Sequence, residues 1–186
     1  MASLATHDTR NWTHRLHALP RETRDTLFLL VVVAWLVAPQ AQRLPLWCTL
    51  GVGAVLLWRA ALAFSGRPLP HGLLLAGLLA AGVAATWLTY RSVLGRDAGV
   101  TLTVLLLALK TLEMRARRDA FVIFFLGFFT MLTNFFFSQS LLVAGAMLVG
   151  LLGLLTALIN AHLPAGRPSL WLAARTAAWM ALAGAP

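Results

Sequence analysis

Residues 110–142 read KTLEMRARRDAFVIFFLGFFTMLTNFFFSQSLL and constrain the fold more than any other stretch. A basic hinge, Arg115-Ala116-Arg117-Arg118, separates two apolar runs. Positive charge concentrated between apolar spans marks a cytoplasmic turn of a membrane protein. The uncharged cluster Asn134, Ser138, Gln139 and Ser140 closes the second run and suits the opposite membrane face. Composition agrees. The chain is 60% hydrophobic and 11% charged, with mean hydropathy +0.80, whereas soluble domains are typically about 45–50% apolar and about 25% charged. A water-facing surface cannot absorb that surplus.

The expected fold is all-α: a polytopic transmembrane helix bundle with the N-terminus cytoplasmic. Each span needs roughly 20 largely apolar residues. Six full spans are predicted at about 26–38, 44–64, 72–89, 100–112, 120–137 and 141–159, with a truncated seventh from about residue 170. Residues 1–24 form a basic leader, read either as an interfacial helix carrying Trp12, Leu16 and Leu19 on one face or as a disordered tail. Residues 25–186 form the bundle. Arg21 and Asp25 are spaced to pair, and Arg59 is placed to snorkel to the interface. Ala76, Ala80 and Ala84 on the third span, and Ala146, Gly150, Gly153 and Ala157 on the sixth, are small-residue faces suited to close helix approach. This arrangement places 12 of the 15 basic residues in cytoplasmic segments and only Arg43, Arg91 and Arg96 outside. The net charge of +9 is therefore a topology signal rather than a nucleic-acid footprint.

Candidate sites are few. Arg96 and Asp97 lie in an external loop between Gly95 and Gly99 and read either as a docking or headgroup-binding turn or as a solvated turn starting the next helix. Lys110, Glu113, Arg117, Arg118 and Asp119 gather at the hinge. They are candidates for lipid phosphate, against the plainer reading of topology plus local ion pairs. Lys110 and Glu113 are spaced to pair, and Asp119 is the expected N-cap of the fifth helix. Asn134 is the polar side chain expected to be most buried, as interhelical glue or part of a substrate path. Gln139 belongs to the polar cluster beyond it. Cys48, the single cysteine, reads as a small apolar filler. All six acidic residues sit at span ends or in loops, and no P-loop, H-E-x-x-H or G-x-S-x-G pattern occurs. Catalytic, cofactor-binding and metal residues are thus expected to be absent.

The run at 105–142, LLLALKTLEMRARRDAFVIFFLGFFTMLTNFFFSQSLL, resembles the N-terminal membrane region of bacterial transglutaminase-like proteins of the TgpA type. Gly95-Arg96-Asp97-Ala98-Gly99, Leu19-Pro20-Arg21-Glu22 and Leu44-Pro45-Leu46-Trp47 fit the same region, so the likeness extends from about Leu19 onward. The resemblance implies an inner-membrane bundle followed by a periplasmic transglutaminase-like domain, a further membrane helix and a C-terminal tail. In such proteins a Cys-His-Asp triad in the periplasmic domain carries the activity, and none of its positions has a counterpart here. The chain is accordingly expected to be an N-terminal fragment, non-catalytic itself, that anchors and positions the missing domain. Its partners would be the lipid bilayer and that domain. A lipid- or small-molecule-handling membrane protein is the alternative.

Overall fold

In a computed structural model the described residues are 21–92, 95–114, 117–135, 137, 140–162, 175, 176, 178 and 179; of Arg21, Glu22, Arg117, Arg118 and His162 only the backbone is described. Among them lie six long helices and no strand. These are α1 (Arg21–Val37), α2 (Leu46–Ser65), α3 (Gly72–Tyr90), α4 (Arg96–Glu113), α5 (Arg117–Phe135) and α6 (Leu141–His162). A 3-10 turn, Ala38–Gln40, prolongs α1. Pro39 causes the change, because it has no N–H to continue the α-helical ladder. Four helices are long and apolar enough to cross a membrane: 23–40, Leu46–Ser65, Gly72–Tyr90 and Leu141–Ala161. Residues 1–20 of the leader lie outside the described residues and residues 21–24 begin α1; most of the seventh segment also lies outside, though Arg175, Thr176, Ala178 and Trp179 are helical.

The two innermost helices are α1 and α4. Each packs against four others, α4 on α1, α2, α3 and α5, and α1 on α2, α4, α5 and α6. Leu29, Val33 and Val37 of α1 join Cys48, Val52 and Val55 of α2 and Val104, Leu107 and Leu112 of α4 in the larger core. Val32 and Leu36, one residue round the same helix, face a second core with Met131 of α5 and Met147 and Leu154 of α6. So α1 is a wall shared by both cores.

The two small-residue stripes behave differently. On α6, Gly150 and Gly153 lie against α1, where an added Cβ would come within 2.5 Å of Leu36 and 2.8 Å of Val32. The Trp35 indole N–H reaches over the same seam to the Ala146 carbonyl at 3.0 Å. On α3, by contrast, Ala76, Ala80 and Ala84 are exposed and line an outward apolar groove with Trp87. The face of α3 turned to α4 is carried by Gly82, whose missing side chain leaves room for Leu105, and by buried Thr86. An almost uniformly apolar helix offers more than one small-residue face, and spacing alone does not choose between them.

Other positions depart from the sequence expectations. Arg96 and Asp97 are the first turn of α4 rather than a loop, because extended Gly95 is the N-cap and an acid in the first turn complements the helix dipole. The preceding loop is shortened at its other end by Arg91, which closes α3 in the left-handed region at φ 55 and donates its N–H to the Trp87 carbonyl. Asp119 lies inside the first turn of α5 rather than at its N-cap. Arg59 does not snorkel: it is buried, and its Nε donates to the Thr111 carbonyl at 3.0 Å. That carbonyl belongs to the last turn of α4, where backbone acceptors lack helical partners and a cation is favoured.

Candidate functional site

Polar side chains collect at the two ends of the bundle. At the hinge end, Lys110 Nζ lies 2.9 Å from Glu113 Oε2 and 3.8 Å from Asp119 Oδ1. One ammonium thus joins the last turn of α4 to the first turn of α5. The Lys110–Glu113 pair expected from their spacing forms, and the Lys110 charge, a candidate for lipid phosphate, is engaged by these two carboxylates, while the Arg117 and Arg118 side chains lie outside the described residues. Nearby, Asn160 Nδ2 of α6 donates to Asp25 Oδ1 of α1 at 3.0 Å, and Thr23 reaches the Ala63 carbonyl of α2 at 3.2 Å. The expected Arg21–Asp25 pair lies outside the described side chains.

The opposite end carries a denser node. The Thr130 carbonyl of α5 accepts from Thr133 Oγ1 at 2.7 Å, Gln40 Nε2 at 2.9 Å and Asn134 Nδ2 at 3.3 Å. Gln40 Nε2 also donates to Thr133 Oγ1 at 2.9 Å. Asn134 is buried, and among the described residues its hydrogen bond to another helix is with the Met147 sulfur at 3.5 Å. The amide that ties separate elements together at this end is Gln40, which is only 1% exposed. Sequence reading passed over it because it follows Pro39 at the apparent end of a span. The signal was there in the single-turn spacing from buried Leu36 to Gln40, which keeps the amide on a core face.

Because the Thr130 carbonyl can only accept, the Gln40 group facing it must be the NH₂, which turns Oε1 away from α5. Among the described residues Oε1 has no partner, and it is shielded from solvent. An unsatisfied buried acceptor costs about 1–3 kcal/mol. Gln40 lines a cavity of about 20 Å³, together with Arg43, Tyr90, Asp97, Thr101 and Phe137. That volume holds about one water-sized group. The hydroxyl protons there can be assigned. Thr101 Oγ1 gives its single proton to the Asp97 carbonyl at 2.8 Å, so across the 3.2 Å contact Tyr90 is the donor. Tyr90 therefore has only lone pairs left to offer. At the rim, the guanidiniums of Arg43 and Arg96 lie 5.2 and 4.5 Å from the centre of the Phe137 ring. Asp97 stands 3.9 Å from Arg96, with both side chains well exposed, so this pair is weak.

Arg96 and Asp97 thus belong to the Gln40 end, together with Asn134 one node further in. Lys110, Glu113 and Asp119 belong to the hinge end. Gln139 lies outside the described residues. Among the described residues no three His, Cys, Asp or Glu side chains lie close enough to hold a metal ion. Cys48 is fully buried in the larger core.

The TgpA N-terminal domain model matches residues 28–186. A protein-glutamine gamma-glutamyltransferase of Pseudomonas aeruginosa is 32% identical over 174 residues, which cover 92% of this chain and 25% of that protein. The chain therefore spans about a quarter of the length of the curated relative it matches. No solved structure matches it. The helical architecture, the arginine hinge and a match that runs through five of the six helices and most of α1 all place the chain in one group: it belongs to the TgpA N-terminal domain family.

Proposed function

We infer that this bundle is a non-catalytic, multi-pass inner-membrane domain that anchors and positions a periplasmic transglutaminase-like domain. The observation that carries the reading is the match along nearly the whole chain to a quarter of a protein-glutamine gamma-glutamyltransferase. In this reading all six helices cross, with the N-terminus and the arginine hinge cytoplasmic and the Gln40 end outside. Two features support it. The polar side chains between helices join neighbours to one another: Gln40 and Thr130, Asn160 and Asp25, Arg59 and Thr111. The single cysteine is closed off among valines and leucines, where no thiolate could attack a substrate.

Two assays test this. Purified protein incubated with glutamine peptides and amine donors is expected to transfer no γ-glutamyl group. Turnover abolished by Cys48→Ala would overturn the non-catalytic reading. The protein is also expected to stay in the membrane pellet through alkaline carbonate extraction, and its release to the supernatant would contradict anchoring.

A further inference from the structure

We propose that the cavity beneath the Arg43–Phe137–Arg96 rim receives a phospholipid headgroup: a phosphate with a hydrogen-bond donor, ammonium or hydroxyl, a few atoms beyond it. The inference rests on the membrane reading above and is independent of any tethered domain. It starts from what the site lacks. Gln40 Oε1 is buried without a partner among the described residues, and its orientation is dictated by the bond its NH₂ makes to Thr130. Tyr90 has already spent its proton on Thr101, and Thr101 has spent its own on Asp97. The inner part of the cavity therefore presents acceptors and asks for a donor. Its volume of about 20 Å³ admits a group the size of an ammonium or a hydroxymethyl tip. A trimethylammonium is too large and has no N–H to give.

The rim asks for the other half of the ligand. Arg43 and Arg96 approach one phenylalanine ring from two different segments, and among the described residues that line the cavity Asp97 is the one carboxylate. The excess charge is positive, and guanidiniums match phosphate oxygens in geometry as well as charge. The N-terminus of the 18-residue helix α4 lies at the same place, and its N-cap Gly95 supplies no side-chain acceptor, so the helix dipole adds to the attraction for an anion. A bare cation would be repelled by this rim, and a bare phosphate would leave Oε1 unsatisfied. A phosphodiester with a donor tip meets both demands, as ethanolamine and glycerol headgroups do.

The test uses the whole protein in detergent micelles, with ethanolamine, glycerol and choline phospholipids of identical acyl chains added in equal amounts. Bound lipid is read by native mass spectrometry. Ethanolamine and glycerol lipids are expected to be retained about two- to tenfold better than choline lipid, the worth of one hydrogen bond. Gln40→Met should erase that preference. Because Gln40 also ties α5 to the 3-10 turn, Tyr90→Phe serves as a second variant: it removes the hydroxyl lone pairs together with the one bond to Thr101, and should reduce the preference in a bundle that loses no more stability than that single bond is worth. Arg43→Gln should lower retention of all three lipids. Equal retention of the three lipids by the unaltered protein would overturn the proposal and leave the cavity to a water molecule. So would a preference that survives both Gln40→Met and Tyr90→Phe. Displacement of lipid by soluble phosphoethanolamine or glycerol phosphate at equal concentration would transfer the site to a soluble phosphate ester and overturn the lipid assignment. Failure of carbonate resistance breaks the anchoring reading, whereas lost headgroup preference in a carbonate-resistant protein breaks this inference alone.

Discussion

Gln40 and Asn134 share one acceptor, the Thr130 carbonyl, yet they do different work. Among the described residues Asn134 bonds within its own helix and reaches α6 through a sulfur, a weak acceptor. Gln40 crosses from the 3-10 turn to α5 with two bonds of 2.9 Å. Amide bonds between membrane helices are typically worth about 0.6 kcal/mol, up to about 1.7. A Gln40→Leu, Thr133→Val double-mutant cycle followed by thermal melting in detergent should return a coupling in that range, about 0.6–1.7 kcal/mol. Asn134→Leu should cost less than Gln40→Leu, because it removes one weak contact between helices. Asn134→Asp should cost more than Asn134→Leu, since a carboxyl beside a carbonyl and a thioether is costly whether charged or protonated. Equal melting of the two Asn134 variants would mean that this side chain faces water. The buried amide at Asn134 was legible in the sequence because it stands alone in an apolar run. Gln40 was not, because Pro39 on one side and Gln42-Arg43 on the other make its neighbourhood look like a loop. Only the 3-10 turn keeps it on the core side of α1.

At the scale of elements, the least hydrophobic-looking span proves the most enclosed. Helix α4 begins with Arg96-Asp97 and ends near Lys110 and Glu113, and it is not among the four helices apolar enough to be taken as spans. Ten of the fifteen residues from Ala98 to Leu112 are nevertheless buried. At about 1.5 Å per residue its 18 residues reach roughly 27 Å, close to the hydrocarbon thickness of about 30 Å. A helix surrounded by α1, α2, α3 and α5 meets protein rather than lipid, so its composition is released from the demands of a lipid-facing surface. The helix boundaries of α2, α3 and α6 were read to within a few residues, because turns rich in Gly, Pro and Ser punctuate them. Which face of each helix turns inward was less legible. The stripe on α6 meets α1, and the stripe on α3 does not meet another described helix. The difference gives a direct comparison. Gly153→Val forces branched carbon against Val32, a stiff β-branched side chain, and should destabilise the bundle by about 1–3 kcal/mol, as overpacking does. Gly145→Val on the same helix places its Cβ in open space. It should change the melting temperature little, and any stabilisation would come from losing a mid-helix glycine. Similar losses for the two variants would mean that α1 and α6 are not in close contact.

For the molecule as a whole, the two polar ends define an axis. One end carries the Lys110 cluster next to the arginine hinge, and the other carries Gln40, Tyr90 and the Arg43–Phe137–Arg96 rim. The alternation of helices was visible in the hydropathy of the chain, and so was the likeness to its family. The joining of the polar groups at each end was not, because Gln40 meets Thr130 and Asp25 meets Asn160 across long stretches of sequence. The orientation of the axis is the central claim, since a domain held outside the cell membrane requires the hinge inside. It is tested in intact cells with an impermeant thiol reagent, using single cysteines at Ser92 and at Ala116 in a Cys48→Ala background. Labelling at Ser92, with Ala116 labelled only after the cells are opened, is the predicted result. Labelling at Ala116 and protection of Ser92 in intact cells would invert the bundle and contradict the account.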